Sequence, residues 1–183
     1  AKLDAGNAPV PSQGSSESIL CFGDIVTLDH VAGLRVACDI WEEVLPGQGV
    51  FSVSAVPEAA GRSTTGPDPA ARTAFAIVPV KGMEYAGPAE DPTPVTYGEP
   101  FRLQSLLAAG EEASAAGLLA PKPACFLAST HKSERMASRL TNRQLVFAVG
   151  APTPDAVWTF ECAVYSQSVG ASEDKYFSKG QPV

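Results

Sequence analysis

The chain has 183 residues, of which 45% are hydrophobic and 18% are charged, so it can bury a core and is not a disordered chain. Its net charge of −7 argues against nucleic-acid binding, because such proteins neutralise phosphates with clustered Lys and Arg. No apolar run reaches the roughly 18 residues of a membrane helix, so we predict no membrane partner.

Residues 1–17 are small, rich in Pro, Gly and Ser, and without periodicity, which predicts a flexible N-terminal arm or linker. From Ile19 the pattern changes to short β-branched and aromatic runs that are separated by turn residues. In the first half these runs are "ILCFGDIVTL", "GLRVACDIW", "GVFSVSAV" and "TAFAIVPV". The last of them is continuously apolar, so we expect a strand that is buried on both faces.

The second half continues the strand pattern with "VTYGEPFRLQSL", "CFLAST", "RQLVFAVG" and "DAVWTFECAVY". A long Pro-rich loop, "GMEYAGPAEDPTP", precedes this half. The second half also contains "LLAAGEEASAAGLLAPKP". This segment has helix formers and two glycines, which predicts a short marginal helix or a surface insertion. The chain is therefore predicted to be all-β with long loop insertions.

An internal repeat aligns "CFGDIVTLDH" with "TYGEPFRLQS" when Gly23 is placed on Gly98, 75 positions later. Val26 then falls on Phe101 and Leu28 on Leu103. A second pair of aromatic positions, Phe75 and Trp158, lies 83 positions apart, and Gly180 begins a third copy 82 positions after Gly98. Repetition at a nearly fixed period indicates an architecture of related lobes. The residues that define the lobes are Phe22, Gly23, Asp24, Phe75, Tyr97, Gly98, Glu99, Trp158 and Gly180.

These features predict a β-trefoil-like domain over residues 18–183. Glycine lets a strand turn in from a loop, the aromatic beside it buries a large area, and a closed barrel leaves no free sheet edge. Lobe 1 is predicted at about 18–93 and lobe 2 at about 94–176, while 177–183 contains only the start of lobe 3. The third lobe is therefore expected to be incomplete in this chain.

Six blocks resemble, in order, those of the cilia- and flagella-associated protein 161 family: "SILCFGDIVTLDH", "TAFAIVPVKG", "VTYGEPFRLQS", "FLASTHKS", "VWTFECA" and "FSKGQPV". They also look like the wider group of MIR-type trefoils. The family resemblance implies a trefoil-like microtubule inner protein with a stabilising, non-catalytic role. It further implies that residues follow Val183 in the full protein. The segments 57–72 and 106–123 depart from the family pattern.

The implied location is the axoneme of cilia and flagella, inside the doublet microtubules, in a reducing environment that is continuous with the cytosol. The implied partners are tubulin and other microtubule inner proteins. The four cysteines, Cys21, Cys38, Cys125 and Cys162, form no CxxC pair, and three of them lie among apolar residues. We expect buried free thiols, which fit a reducing compartment.

We predict no catalytic residue, no metal site, no cofactor and no small-molecule substrate. His30 and His131 lie in no metal-ligand spacing, and the sequence contains neither a GxSxG nucleophile motif nor a complete dinucleotide fingerprint. Asp24 and Glu99 recur at equivalent positions. Recurrence favours a structural task, such as accepting hydrogen bonds from turn N–H groups, over acid–base catalysis.

A basic segment, "HKSERMASRLTNR", stands out in this acidic chain. It is either a solvated face or a surface that meets acidic regions of tubulin or another inner protein. The candidate partner-binding residues are Lys132, Arg135, Arg139 and Arg143. The alternative function is a MIR- or lectin-like trefoil that recognises glycan or phosphate, although no QxW repeat is present. An enzyme is the least favoured class because the catalytic motifs are absent.

Overall fold

The computed structural model describes residues 19–62, 69–81, 93–109, 124–129 and 145–161, and these residues form one antiparallel sheet of short strands. In the described residues one α-helical turn, α1, spans Leu106–Ala109, and short 3₁₀ turns occur at Glu58–Gly61, Ala71–Thr73 and Pro154–Ala156. The all-β prediction is confirmed. The strands are β1 Ile25–Val26, β2 Asp29–His30, β3 Leu34–Leu45, β4 Val50–Pro57, β5 Phe75–Pro79, β6 Pro100–Ser105, β7 Phe126–Ser129, β8 Val146–Val149 and β9 Trp158–Thr159.

Two units of the sheet repeat the same strand plan. In the first unit, β1 pairs with β5, and the β3–β4 hairpin lies between them in sequence. In the second unit, β6 pairs with β9, and the β7–β8 pair lies between them. Val26 is opposite Phe75 in the first unit, and Phe101 is opposite Trp158 in the second. The sequence alignment that equated these positions therefore agrees with the observed register, and we call the two units lobe 1 and lobe 2.

The two lobes are joined at three places. Strands β5 and β6 pair along five residues, from Phe75 opposite Ser105 to Pro79 opposite Phe101. The segments that lead into the lobes lie antiparallel, because Val95 N–H donates to the Leu20 carbonyl and Phe22 N–H to the Thr93 carbonyl, both at 2.8 Å. The hairpins also meet where β4 pairs with β8.

Strand β5 separates two hydrophobic clusters, as its continuously apolar sequence predicted. Phe75 and Ile77 belong to the larger cluster, together with the fully buried Phe101 and Val95. Ala76 and Val78 point to the opposite face and join a second cluster with Phe126 and Phe147. Alternation along an extended strand produces this division, because successive side chains point to opposite faces.

The β3–β4 hairpin contains a bulge that turns part of β3 into the core. Asp39 is opposite Ser52 and Glu43 is opposite Phe51, so Ile40–Glu42 have no counterpart in β4. The Asp39 carboxylate accepts the N–H of Trp41 at 2.9 Å, which satisfies one backbone donor that the ladder leaves free. Ile40 is buried as a result, and Trp41 packs partly against the larger cluster.

The lobe glycines generate the first prediction. Gly23 and Gly98 adopt φ values of +90° and +76°, which β-branched residues rarely adopt. A Cβ at Gly98 would meet no atom within 4 Å, so a substitution there tests backbone strain without a steric clash. We expect Gly98→Val and Gly23→Val each to lower the free energy of unfolding by about 1–3 kcal/mol in urea titrations.

The matched control is Gly98→Asn, because asparagine enters the left-handed region more readily than valine. It should lose clearly less stability than Gly98→Val. Equal unfolding midpoints for Gly98→Val and the parent protein would contradict the proposed role of this glycine.

Candidate functional site

The four residues of the basic segment, Lys132, Arg135, Arg139 and Arg143, lie outside the described residues. The predicted partner-binding patch therefore stays a prediction. Gly180, His131 and Cys162 also lie outside, as do the start of lobe 3 and the N-terminal arm. The other lobe-defining residues are all described. Phe22, Gly23 and Asp24 lie in one turn, Tyr97, Gly98 and Glu99 lie in an equivalent turn, and Phe75 and Trp158 lie in strands β5 and β9.

The lobe 1 turn spans Cys21–Asp24. The Asp24 N–H donates to the Cys21 carbonyl at 3.1 Å, and the Cys21 N–H donates back to the Asp24 carboxylate at 2.9 Å. Gly23 lies within this turn, and its N–H donates to the Ile77 carbonyl of β5 at 2.8 Å. The turn is thereby attached to the closing strand of its own lobe.

The lobe 2 turn spans Thr96–Glu99 and repeats this geometry. The Glu99 N–H donates to the Thr96 carbonyl at 3.1 Å, and the Thr96 N–H donates to the Glu99 carboxylate at 3.0 Å. The Gly98 N–H donates to the Phe160 carbonyl at 3.0 Å. Phe160 follows Ile77 by 83 positions, the offset that also relates Trp158 to Phe75. The expectation that Asp24 and Glu99 accept turn N–H groups agrees with these contacts.

Aromatic side chains support both turns from the core side. Phe22 and Tyr97 are partly buried against the larger hydrophobic cluster. Trp158 donates its indole N–H to the Leu127 carbonyl at 2.8 Å, which ties β9 to β7. The Phe101 and Phe160 rings stack with centroids 4.3 Å apart. The recurring aromatics therefore bury surface and fix strand positions.

The described cysteines, Cys21, Cys38 and Cys125, are buried thiols, as predicted. Burial raises the pKa of the Cys38 thiol to about 12, with a smaller contribution from the neighbouring Cys125, although a hydrogen bond from Ser105 acts in the opposite direction. A thiol with such a pKa stays protonated at neutral pH and is a poor nucleophile. Cys38 is thus a core side chain.

A partly buried ion pair in lobe 1 was not predicted from the sequence. The Arg35 guanidinium donates to both carboxylate oxygens of Asp29, at 2.6 and 2.9 Å. These hydrogen bonds, together with the positive charge, hold the pKa of the Asp29 carboxyl below its usual value. The signal that could have revealed the pair is the tight turn at Gly33, which folds β2 back on β3 and places Asp29 opposite Arg35.

Within the described ranges, no group of three or more His, Cys, Asp or Glu side chains is placed to share a metal ion. No helix in this part of the chain has the length and apolar character needed to cross a membrane. His30 is exposed on β2, and its Nδ1 accepts the N–H of Ala32 at 3.1 Å, which is a turn contact.

The geometry defines an all-β module built from two related lobes. No family model matches the chain, and no curated protein sequence matches it. A solved structure that resembles it is the crystal structure of the SDF2-like protein from Arabidopsis thaliana, with 15% sequence identity and a TM-score of 0.49. The match covers 82% of this chain and 65% of that chain, so this chain spans less than two thirds of that protein.

The turn carboxylates generate a second prediction. Asp24→Ala and Glu99→Ala each remove the acceptor of a backbone N–H, so each should lower the free energy of unfolding by about 1–3 kcal/mol. Glu42→Ala is the matched control, because Glu42 is exposed on β3. It should change stability by less than about 0.5 kcal/mol. Urea unfolding of the three variants checks this, and equal losses in all three would contradict a specific role for the turn carboxylates.

The Cys38 thiol generates a third prediction. Because its pKa is raised from 9.0 to about 12, the fold favours the protonated thiol, and this contribution to stability is present below pH 9 and is lost as the pH rises toward 12. The difference in free energy of unfolding between the parent and Cys38→Ala should therefore narrow over that range. A difference that stays constant with pH would contradict burial as the cause.

Proposed function

We propose that this chain is a non-catalytic scaffold module of ciliary and flagellar doublet microtubules, which attaches to tubulin and to other inner proteins of the lumen. The observation that carries the proposal is that two of the blocks resembling the ciliary family, "CFGD" and "TYGE", form equivalent structural turns. Their recurring carboxylates accept backbone N–H groups, so these blocks serve the framework of a binding module. The order of the remaining blocks along the chain supports the same assignment.

Attachment of the chain to tubulin would have to come from local contacts and not from overall charge. The chain carries a net charge of −7, and we expect the tubulin surface to be acidic too, so bulk electrostatic attraction opposes binding. Basic patches, apolar contacts and the N-terminal arm would have to provide the affinity. Many modest contacts that repeat along a polymer provide avidity without a deep pocket. The basic segment that contains Lys132 and Arg143 is the proposed patch.

The fourth prediction tests the location and the patch together. Tagged parent protein, expressed in ciliated cells, should remain with axonemes after detergent extraction. A variant that reverses the four charges of the basic segment should be retained less well. The difference should be largest at low salt, where screening is weakest. Deletion of residues 1–17 should add to the loss if the arm binds separately.

The control is a variant that reverses four charges elsewhere, on exposed carboxylates such as Glu42 and Glu43. Absence of the parent protein from axonemes would reject the ciliary assignment. In that case a glycan array and a phosphoinositide titration of the purified chain would test the alternative, a trefoil that binds glycan or phosphate. Retention of the four-charge variant at every salt concentration would reject the basic segment as the contact.

A further inference from the structure

Three arginines converge on the 3₁₀ turn Glu58–Gly61, in a part of lobe 1 that is separate from the basic segment. Arg35 reaches the turn from β3, Arg62 follows it directly, and Arg72 lies in the second 3₁₀ turn, Ala71–Thr73. We call these three residues the arginine cluster. Elsewhere in the described chain, the cationic side chains are Lys81 and Arg102.

Hydrogen bonds join the two segments that carry the arginine cluster. The Gly61 carbonyl accepts both the Ala70 N–H at 3.0 Å and the Thr73 hydroxyl at 2.8 Å, and Arg62 forms a β-bridge with Pro69. These bonds bring the two 3₁₀ turns side by side. A Cβ at Gly61 would lie 2.8 Å from Cδ of Arg35, so glycine is what allows the Arg35 stem to pass beneath the turn.

Among the described residues around the Glu58–Gly61 turn, there are fewer carboxylates than guanidinium groups. Arg35 is paired with Asp29, and Arg62 is paired with Glu58 at 2.8 Å in an exposed contact. Arg72 makes no ion pair in the described part of the chain. It donates one hydrogen bond, from Nη2 to the Ala60 carbonyl at 2.7 Å, while its Nε is buried without an acceptor. The guanidinium charge of Arg72 is therefore not neutralised by a described carboxylate.

The local charge balance therefore has the opposite sign to that of the whole chain. Among the described residues, three guanidinium groups face two carboxylates, so these residues carry a net positive charge in a protein whose net charge is −7. The planar guanidinium fork matches the geometry of a carboxylate and binds it through two parallel hydrogen bonds. The Ala60 carbonyl fixes the orientation of Arg72, which reduces the side-chain entropy that a partner would have to overcome.

We propose that the arginine cluster is a docking surface for an acidic segment of a partner protein, whose carboxylate binds Arg72. Arg62 contributes a second contact by exchanging Glu58 for a carboxylate of the partner. Arg35 is already paired with Asp29 and supports the surface from beneath. The surface does not depend on the ciliary setting, because it follows from the contacts at Glu58–Gly61 alone.

The test measures binding of a fluorescein-labelled oligoglutamate peptide to the full 183-residue chain by anisotropy at low ionic strength. Arg72→Gln should weaken binding by about threefold to fivefold, the effect of losing one partly exposed charge contact. Arg102→Gln is the matched control. Arg102 also donates to a carbonyl, that of Val80 at 2.8 Å, and its Nε is also buried without an acceptor, but it lies on β6 outside the cluster.

A second variant keeps the proposal falsifiable even if Arg72→Gln disturbs the fold. Glu58→Gln removes the carboxylate that competes for Arg62, at a residue whose side chain is 46% exposed. It should tighten peptide binding by about twofold to fivefold. A purely structural role of the cluster predicts no gain, so unchanged affinity of Glu58→Gln would overturn the proposal.

Two other results would also overturn it. Equal weakening by Arg72→Gln and Arg102→Gln would assign the binding to overall charge. Displacement of the peptide by inorganic phosphate, but not by acetate at the same ionic strength, would assign the cluster to a phosphate ligand. Selective weakening by Arg72→Gln together with tightening by Glu58→Gln would support a surface for an acidic protein segment.

Discussion

The backbone hydrogen bond between the glycine of each lobe turn and the closing strand of the same lobe is the contact on which the rest of the structure depends. Gly23 donates to Ile77, and Gly98 donates to Phe160. Each glycine donates this bond from the left-handed conformation, which glycine adopts without the steric cost of a Cβ. The chain then continues into the first strand of the lobe. The carboxylate one position later keeps the turn closed. With the start and end of a lobe joined in this way, the strands between them are held within one closed loop of the chain.

Magnitudes show which interactions stabilise this arrangement. Full burial of a large apolar side chain such as Phe75 or Phe101 is worth about 1.5–3 kcal/mol. The Asp29–Arg35 pair is half exposed on the carboxylate side and is worth about 1 kcal/mol or less. Packing of aromatics where the lobes meet therefore outweighs the surface charges. The stability of the fold therefore does not depend strongly on the charged side chains of lobe 1.

The arginine cluster and the lobe turns show two uses of polar residues in one small domain. At the turns, Asp24 and Glu99 are fully engaged in local backbone contacts that recur with the repeat. The described part of lobe 2 contains no residues equivalent to this cluster, and the Arg72 guanidinium group is not paired with a described carboxylate. A feature that breaks the pseudo-symmetry of a repeat is a better candidate for a partner contact than one that obeys it. For this reason the surface of lobe 1 is of greater functional interest than its turns.

The sequence by itself determined the strand pattern, the correspondence between positions of the two lobes and the nature of the lobe turns. These features are local, since alternation along a strand, a glycine at a turn and a carboxylate beside it act within a few residues. The buried state of Cys21 and Cys125 followed in the same way from their apolar neighbours. Only the tertiary structure decided that Arg35, Arg62 and Arg72 lie around the same 3₁₀ turn, Glu58–Gly61. Their meeting depends on the Gly61 carbonyl accepting from Ala70 and Thr73 and on the space left by a missing Cβ, and no periodic pattern encodes such long-range contacts.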